Sequence, residues 1–340
     1  MNLSMMDIYR NYDGPLYIIP AKTLYDINKI DVPGKGLIVS LPLGAKYFAA
    51  HLPLYPLFIR LFSAVMGYLK SMIFVNILFT VLLAMFFYYF VKELKLSQNP
   101  LLLAIILLFL PRFLIVRAVG APESLFMLLV LVSLFFFEKE NYFLAGLAGG
   151  LATMTKSPGI LLAIAYAYVI LERLLKTRKF DWRYFYLSLI PLGLLAVFGI
   201  YAMQMHDFFA YFHSGDNIHL VYPFAVFNFH VTWVGTPWLE DILFYFIMYL
   251  LAIFYLKDTK YRSLFYFSLV FFIAVTFVQH RDISRYSLPI WPLAVIAFDK
   301  FFTSKKFLVV LLILLPAIYL YAWNFLLYNV MPIGEMKPFL

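Results

Sequence analysis

A turn near the N-terminus carries the acidic side chain that is best placed for proton transfer. The turn lies within residues 11–17, NYDGPLY, where the Gly-Pro step predicts a fixed backbone and Tyr12 and Tyr17 offer aromatic surface suited to a sugar. Aspartate is a weak base, so it serves as a general base only where its position compensates for this weakness. We therefore predict Asp13 as a catalytic base, ahead of Asp7, Asp26 and Asp31. The plain alternative is an aspartate that only caps a short helix.

Charged side chains from three separate parts of the chain lie at predicted outer helix ends, and the cations among them are candidates for binding a phosphate. They are Arg112, Arg117 and Glu123 in PRFLIVRAVGAPES, Lys156 in TMTKSPG, and His280, Arg281, Asp282 and Arg285 in QHRDISRY. Arginine can bind phosphate oxygens with two parallel hydrogen bonds, and lysine adds a point charge. We predict that Lys156, Arg281 and Arg285 bind a lipid-linked phosphate and stabilise it as it leaves. The alternative is local pairing, such as Arg281 with Asp282 or Arg117 with Glu123.

Four further residues are predicted to position the substrates, namely Tyr12, His51, Glu123 and His280. No metal site is predicted from the histidines of residues 203–239, because His206, His213, His219 and His230 are separated by 7, 6 and 11 residues rather than by four. No cofactor is predicted, although carboxylates beside a phosphate leave open a divalent cation, Mg²⁺ or Mn²⁺.

The elements that position these residues are predicted to be membrane helices. Of the 340 residues 64% are hydrophobic and 13% charged, and the mean hydropathy is +0.87, which excludes a soluble globule. No segment alternates like a membrane barrel, so we predict an all-α fold with about ten spans. The predicted spans are 72–91, 101–116, 123–137, 142–155, 158–171, 183–203, 240–256, 263–279, 286–302 and 307–327. The absence of cysteine excludes disulfides and thiolate chemistry.

The basic residues predict the orientation in the membrane. The loops assigned to the cytoplasm hold 14 Lys and Arg residues, whereas the outer turns beyond residue 70 hold 6. The net charge of +9 is therefore a topology signal, and no nucleic-acid partner is predicted. Residues 1–70 form an outer-face region with short interfacial helices, residues 71–340 form the transmembrane region, and residues 203–239 form a second outer loop. No cleavable signal peptide is predicted.

The order of four segments resembles the polytopic GT-C glycosyltransferases, in particular the branch that includes GPI mannosyltransferase 2 and related glycosyltransferase 39-like enzymes. The segments are NYDGPLY, HLPLYPLFIRL, APESLFMLLVLVSLFFFEKENYFLAGLAGGLATMTKSPGILL and RYSLPIWPLAVIAF. Tyr12 stands where tryptophan is usual in that branch. The resemblance assigns Asp13 as the base, Glu123 as the acid that begins the PES-like helix, Lys156 as the basic residue of a T-K-x-x-G turn, and Arg285-Tyr286 as the late R-Y pair.

The resemblance implies transfer of a sugar, as in a mannosyltransferase, from a polyprenyl-phosphate donor to a glycan, lipid or protein acceptor, with inversion. The reaction would take place on the outer face of a prokaryotic plasma membrane or the luminal face of the endoplasmic reticulum. Two alternatives stay open: a flippase of lipid-linked sugars, and a non-catalytic subunit of a glycosylation complex. The family usually has a membrane helix ahead of the first outer loop, and none is predicted before Asp13, so we expect residues 51–69 to anchor this loop.

Overall fold

The computed structural model describes residues 4–11, 13–30, 44–215, 220–228, 230, 239–328 and 336–340. Within these ranges the regular structure is helical, and the β-pairing is one isolated antiparallel bridge between Leu220 and Val278. The predicted all-α class is therefore confirmed for the described part of the chain.

The helices follow one another closely along the chain. The α-helices are α1 (Met5–Tyr9), α2 (Ile18–Thr23), α3 (Ile27–Ile30), α4 (Leu54–Met66), α5 (Tyr68–Glu93), α6 (Pro100–Leu107), α7 (Pro111–Val116), α8 (Glu123–Glu138), α9 (Tyr142–Thr155), α10 (Leu161–Thr177), α11 (Leu189–Met205), α12 (Ala210–His213), α13 (Glu240–Lys257), α14 (Arg262–Thr276), α15 (Ile283–Tyr286), α16 (Trp291–Ala297), α17 (Asp299–Phe302) and α18 (Lys305–Leu327). Short 3₁₀ helices cover Gly14–Tyr17, Ala45–Ala50, Ser157–Ile160, Trp182–Ser188, Ala225–Phe227, Leu288–Ile290 and Lys337–Phe339.

Four helical segments of the described residues are long and apolar enough to cross a membrane. They are Tyr68–Glu93, Ser157–Thr177, Trp182–Met205 and Lys305–Leu327. The apolar helices Leu54–Met66, Tyr142–Thr155 and Arg262–Thr276 are shorter. These helices indicate a membrane protein, because their length and composition suit hydrocarbon. The prediction of about ten spans is not confirmed.

Proline residues break two of the predicted spans into short helices. Residues 101–116 form α6 and α7, and Pro111 is the first residue of α7. Residues 286–302 are divided in the same way, because Pro289 and Pro292 lie in the first turns of a 3₁₀ helix and of α16. Proline lacks the amide hydrogen needed inside a helix, so it marks a helix start rather than an interior. Consequently Arg112, which the predicted span 101–116 included, lies on the short helix α7. Arg285, predicted to lie just before the span 286–302, belongs to the short helix α15.

The packing of α9 places Lys156 at the end of a close helix pair. Asn141 caps α9, because its side chain accepts a hydrogen bond from the Leu144 amide at 3.2 Å. Gly150 lets α9 approach α11, since a Cβ at this position would lie 2.6 Å from the Leu189 carbonyl oxygen. Beyond Thr155 the backbone of Lys156 is extended, with φ −147° and ψ 135°, so its side chain leaves the helix axis and reaches α8.

The N-terminal segment is tied to the rest of the protein at several points. Asn11 donates a hydrogen bond to the Leu326 carbonyl at 3.4 Å, and the Lys22 ammonium donates to the Pro338 carbonyl at 3.0 Å. Lys46 pairs with Asp207 at 2.7 Å, and this ammonium, followed by His213, lowers the pKa of Asp207 to about 2. Anchoring is therefore shared along the segment, whereas the sequence predicted that residues 51–69 carry most of it.

Candidate functional site

Asp13 lies at the start of the 3₁₀ helix Gly14–Tyr17, on the surface of the site. Its side chain is 46% exposed and makes no capping hydrogen bond, although its carbonyl accepts one from the Leu16 amide at 2.9 Å. The capping alternative does not account for this side chain. The Asp13 carboxylate instead accepts a hydrogen bond from Arg285 Nη1 at 3.3 Å.

A contact between two glycines holds the Asp13 turn against the chain just before α8. A Cβ added to Gly14 would lie 2.8 Å from the Gly120 carbonyl oxygen, so the two backbones touch. The side-chain amide of Asn76 in α5 donates hydrogen bonds to the Val116 and Val119 carbonyls at 2.8 and 2.5 Å. These bonds support the chain just before α8. Glycine at position 14 therefore brings Asp13 close to the first residue of α8, Glu123.

We expect Gly14→Ala to lower the free energy of unfolding by about 1–3 kcal/mol, the usual cost of overpacking. The added methyl group would meet backbone atoms that cannot move aside. Thermal unfolding of the protein in lipid nanodiscs would measure the effect. Gly44→Ala is the matched control in the same N-terminal region, since a Cβ at Gly44 has nothing within 4 Å. Equal unfolding temperatures for the two variants would contradict the glycine contact.

Two cations bind the same carboxylate oxygen of Glu123. Lys156 Nζ and Arg285 Nε each donate to Glu123 Oε1 at 2.8 Å. The Glu123 side chain is 1% exposed, and its Oε2 is buried without a hydrogen-bond partner among the described residues. A carboxylate sealed in this way cannot reach a ligand from solvent, so its contacts with the two cations define what it does.

The shared oxygen brings two positive charges close together. Both nitrogens are 2.8 Å from Glu123 Oε1, so they are no farther apart than twice that distance. At an effective dielectric constant of about 20, two unit charges at that separation repel by about 3 kcal/mol. The Glu123 carboxylate offsets this repulsion. Lys156 keeps 22% of its side chain exposed and Arg285 keeps 10%, so Lys156 is partly accessible, Arg285 is slightly exposed, and the acid beneath them is buried.

Arg285 links the two acids of the site. Its Nε binds the buried Glu123, and its Nη1 binds the exposed Asp13. Asp13, Glu123, Lys156 and Arg285 thus form one cluster, which we call the ion cluster. Its members come from the first segment, α8, the end of α9 and α15. Two acids and two bases make the ion cluster neutral when all four are ionised.

Arg281 and His280, which the sequence also predicted as site residues, are not members of the ion cluster. Arg281 is exposed and, within the described ranges, makes no hydrogen bond or ion pair. His280 accepts a hydrogen bond from the Asp282 amide at 2.9 Å, and burial lowers its pKa. Tyr12 lies outside the described residues.

His51 and Tyr17 pack together below the Asp13 turn. His51 is 3% exposed, its ring meets the Tyr17 ring edge-on at 4.6 Å, and burial lowers its pKa to about 4. The imidazole is therefore neutral near pH 7. Tyr17 is 7% exposed, so its ring supports the turn rather than offering the open aromatic surface predicted from the sequence.

Sequence reasoning missed the pairing of Arg112 with Asp282. The Arg112 guanidinium, 4% exposed, donates to the Asp282 carboxylate and lies 4.8 Å from the centre of the Phe325 ring. The alternative of local pairs is therefore wrong for both examples, because Asp282 binds Arg112 and Glu123 binds Lys156 and Arg285. The signal available in the sequence was an arginine directly after Pro111, in an apolar segment. Its partner, Asp282, is 170 residues away along the chain.

In the part of the chain that the structure describes, no group of three or more His, Cys, Asp or Glu residues could hold a metal ion. Asp13 and Glu123 are the two acids of the ion cluster, and each is bound to a cation. The cations that the described residues bring to this site are Lys156 and Arg285.

Part of the chain matches a known protein family. Residues 50–201 match the family model described as dolichyl-phosphate-mannose-protein mannosyltransferase. The match covers less than half of the chain and includes His51, Glu123 and Lys156, but neither Asp13 nor Arg285. No curated protein sequence matches the chain. The family match supports a membrane glycosyltransferase of the GT-C type, which agrees with the broader resemblance seen in the sequence and leaves the GPI mannosyltransferase 2 branch unconfirmed.

Proposed function

We propose that this protein transfers a sugar, most simply mannose, from a polyprenyl-phosphate donor to a hydroxyl acceptor on the extracytoplasmic face of the membrane. The observation that carries the proposal is the ion cluster, in which a surface acid lies beside two cations. The match to a mannosyltransferase family over residues 50–201 supports the sugar and the lipid-linked class of donor.

Asp13 would act as the general base in a single displacement. The acceptor oxygen attacks the anomeric carbon of the sugar, Asp13 takes the proton of the acceptor hydroxyl, and the bond between the anomeric carbon and the phosphate oxygen breaks. Polyprenyl phosphate leaves with the bonding electrons, and one displacement inverts the anomeric configuration. The 46% exposure of Asp13 supports this role, since an acceptor can approach it from solvent.

Lys156 and Arg285 would stabilise the phosphate that leaves. Negative charge grows on the phosphate as its bond to the sugar breaks, so cations held in place beforehand favour the transition state over the bound donor. Arg281, exposed near the start of α15, would be the third cation. Tyr12, His51 and His280 would position the substrates, with His51 acting from beneath Tyr17.

Glu123 would hold the two cations at a fixed separation rather than contact a substrate. Its 1% exposure and its two hydrogen bonds at 2.8 Å support this assignment. The sequence predicted Glu123 as a substrate-positioning residue. Glu123 would still be a positioning residue, but it would act on the substrate indirectly, by holding Lys156 and Arg285 in place.

The proposal is tested by reconstituting the purified protein in vesicles with polyprenyl-phosphate mannose labelled in the sugar. We expect label to appear in a glycan, lipid or protein acceptor fraction, with release of polyprenyl phosphate. A flippase would instead move intact labelled donor between leaflets, which an impermeant sugar oxidant added outside detects. Movement of intact donor without transfer would overturn the proposal. It would also be overturned if no label appeared in any of the three acceptor fractions.

A further inference from the structure

A groove lies at the far end of α5 from the ion cluster. It has a volume of about 760 Å³ and opens between the end of α5, the loop of residues 94–99 and α6. Met72, near the start of α5, lies beside the Gly14–Gly120 contact, whereas Lys92 lies at the groove. At a rise of about 1.5 Å per residue the two ends are roughly 30 Å apart, the thickness of a bilayer core. The groove is therefore separate from the ion cluster.

The polar end of the groove carries two lysines. Lys92 and Lys95 line it, both are exposed, and neither makes a hydrogen bond or ion pair among the described residues. The Lys92 ammonium lies 5.7 Å from the centre of the Tyr88 ring. By contrast, the nearby Lys139 is paired with Glu93 at 2.8 Å.

Among the described residues, no acid lines the groove, and its polar rim is partly fixed. Ser97, Gln98 and Asn99 form the rim, and the side chains of Gln98 and Asn99 can donate hydrogen bonds to a ligand. The Ser97 hydroxyl donates a hydrogen bond to the Asp299 carboxylate at 2.5 Å, which ties the loop to α17. The backbone amide of Asn99 donates to the Ser97 hydroxyl at 2.9 Å. The rim thus offers cations and neutral donors in a loop that is held in place.

The other wall of the groove is apolar and open. Leu101 and Ile105, one turn apart on α6, are 64% and 43% exposed. A free phosphate would use the lysines but would gain nothing from this wall. A phospholipid uses both, because its headgroup carries the phosphate and its acyl chains need apolar surface.

We propose that this groove binds one anionic phospholipid, with its headgroup phosphate on Lys92 and Lys95 and an acyl chain along Leu101 and Ile105. The bound lipid joins the end of α5 to α6. This site is independent of the proposed sugar transfer, because it lies at the opposite end of α5 and shares no residue with the ion cluster.

Native mass spectrometry of the full chain in detergent, titrated with phosphatidylglycerol or phosphatidylcholine, tests the site. We expect one phosphatidylglycerol to bind more tightly than phosphatidylcholine, and the double variant Lys92→Gln/Lys95→Gln to weaken that binding roughly tenfold or more. Leu101→Ser/Ile105→Ser should also weaken phosphatidylglycerol binding. Excess inorganic phosphate should not displace the lipid.

Lys257→Gln/Lys260→Gln is the matched control, since these exposed lysines have the same spacing at the end of α13 but do not line the groove. Equal weakening by this control would show attraction by surface charge alone and would overturn the site. Equal affinity for the two lipids, or displacement by inorganic phosphate, would also overturn it. Thermal unfolding without added lipid checks that the variants are folded.

Discussion

Asp13→Asn is expected to lower the rate of sugar transfer roughly 10²–10⁴-fold, the usual contribution of a general base. Asparagine keeps the size of the side chain and can still lie beside Arg285, but it cannot accept the acceptor proton. The effect should fall on kcat rather than on the KM for the donor, because the phosphate is bound by other residues. Initial rates of label transfer from polyprenyl-phosphate mannose would measure it.

Asp26→Asn is the matched control for this variant. Asp26 belongs to the same N-terminal segment, but its carboxylate pairs with Lys29 at 3.0 Å and has no contact with the ion cluster. We expect it to retain the wild-type rate. The Asp13 side chain is 46% exposed and Arg285 keeps Glu123 as a partner. Loss of the Asp13–Arg285 ion pair should therefore change the free energy of unfolding by no more than about 1 kcal/mol. Full transfer activity in Asp13→Asn would remove Asp13 from the mechanism.

Glu123→Gln is expected to raise the KM for the donor and to lower kcat/KM at least tenfold, the equivalent of about 1.4 kcal/mol. The amide would leave Lys156 and Arg285 close together without the charge that offsets their repulsion, so the cations would move apart. The KM for the acceptor should stay near its wild-type value, because Glu123 is too buried to contact it. Steady-state kinetics with each substrate varied in turn would separate these effects.

The same variant should also lower the free energy of unfolding by about 3 kcal/mol, since breaking a buried ion pair leaves charges without a partner. Two further variants separate this loss from the kinetic role. Glu123→Asp keeps the charge and should recover part of kcat/KM. Glu138→Gln, at the other end of α8, removes a negative charge from the side chain that accepts a hydrogen bond from the Ser263 amide. It should leave the donor KM unchanged. An effect of Glu123→Gln confined to the acceptor KM would contradict the assignment.

The sequence predicted several helices well because long apolar runs are a local property. The predicted span 142–155 coincides with α9, and 240–256 and 307–327 are close to α13 and α18. The spans 101–116 and 286–302 were wrong as continuous helices. A hydropathy average over these runs does not register that Pro111, Pro289 and Pro292 begin new helical segments.

The residues of the ion cluster could be chosen from the sequence, whereas their partners could not. Lys156 and Arg285 stood out because charges beside apolar segments are costly. Asp13 stood out because of its Gly-Pro turn and the neighbouring tyrosines. Which cation binds Glu123 depends on how α8, α9 and α15 pack, and Arg285 is 162 residues away from it. Local spacing favoured Arg117, which instead lies over the Phe109 ring at 5.7 Å. Arg281 and Arg285 are four residues apart in the sequence, yet of these two only Arg285 belongs to the ion cluster.

The sparse packing of α18 couples the surroundings of the site to the bilayer. Only 6% of an apolar 18-residue stretch of this helix is buried within the protein, compared with 44% of the corresponding stretch of α5. Its last turn nevertheless supports both Asn11, through the Leu326 carbonyl, and Arg112, through the Phe325 ring. Most of the α18 surface is therefore open to the surroundings of the protein, which in a bilayer are acyl chains. We expect the lipid around α18 to influence the chain near Asp13 and Asp282 through these two contacts.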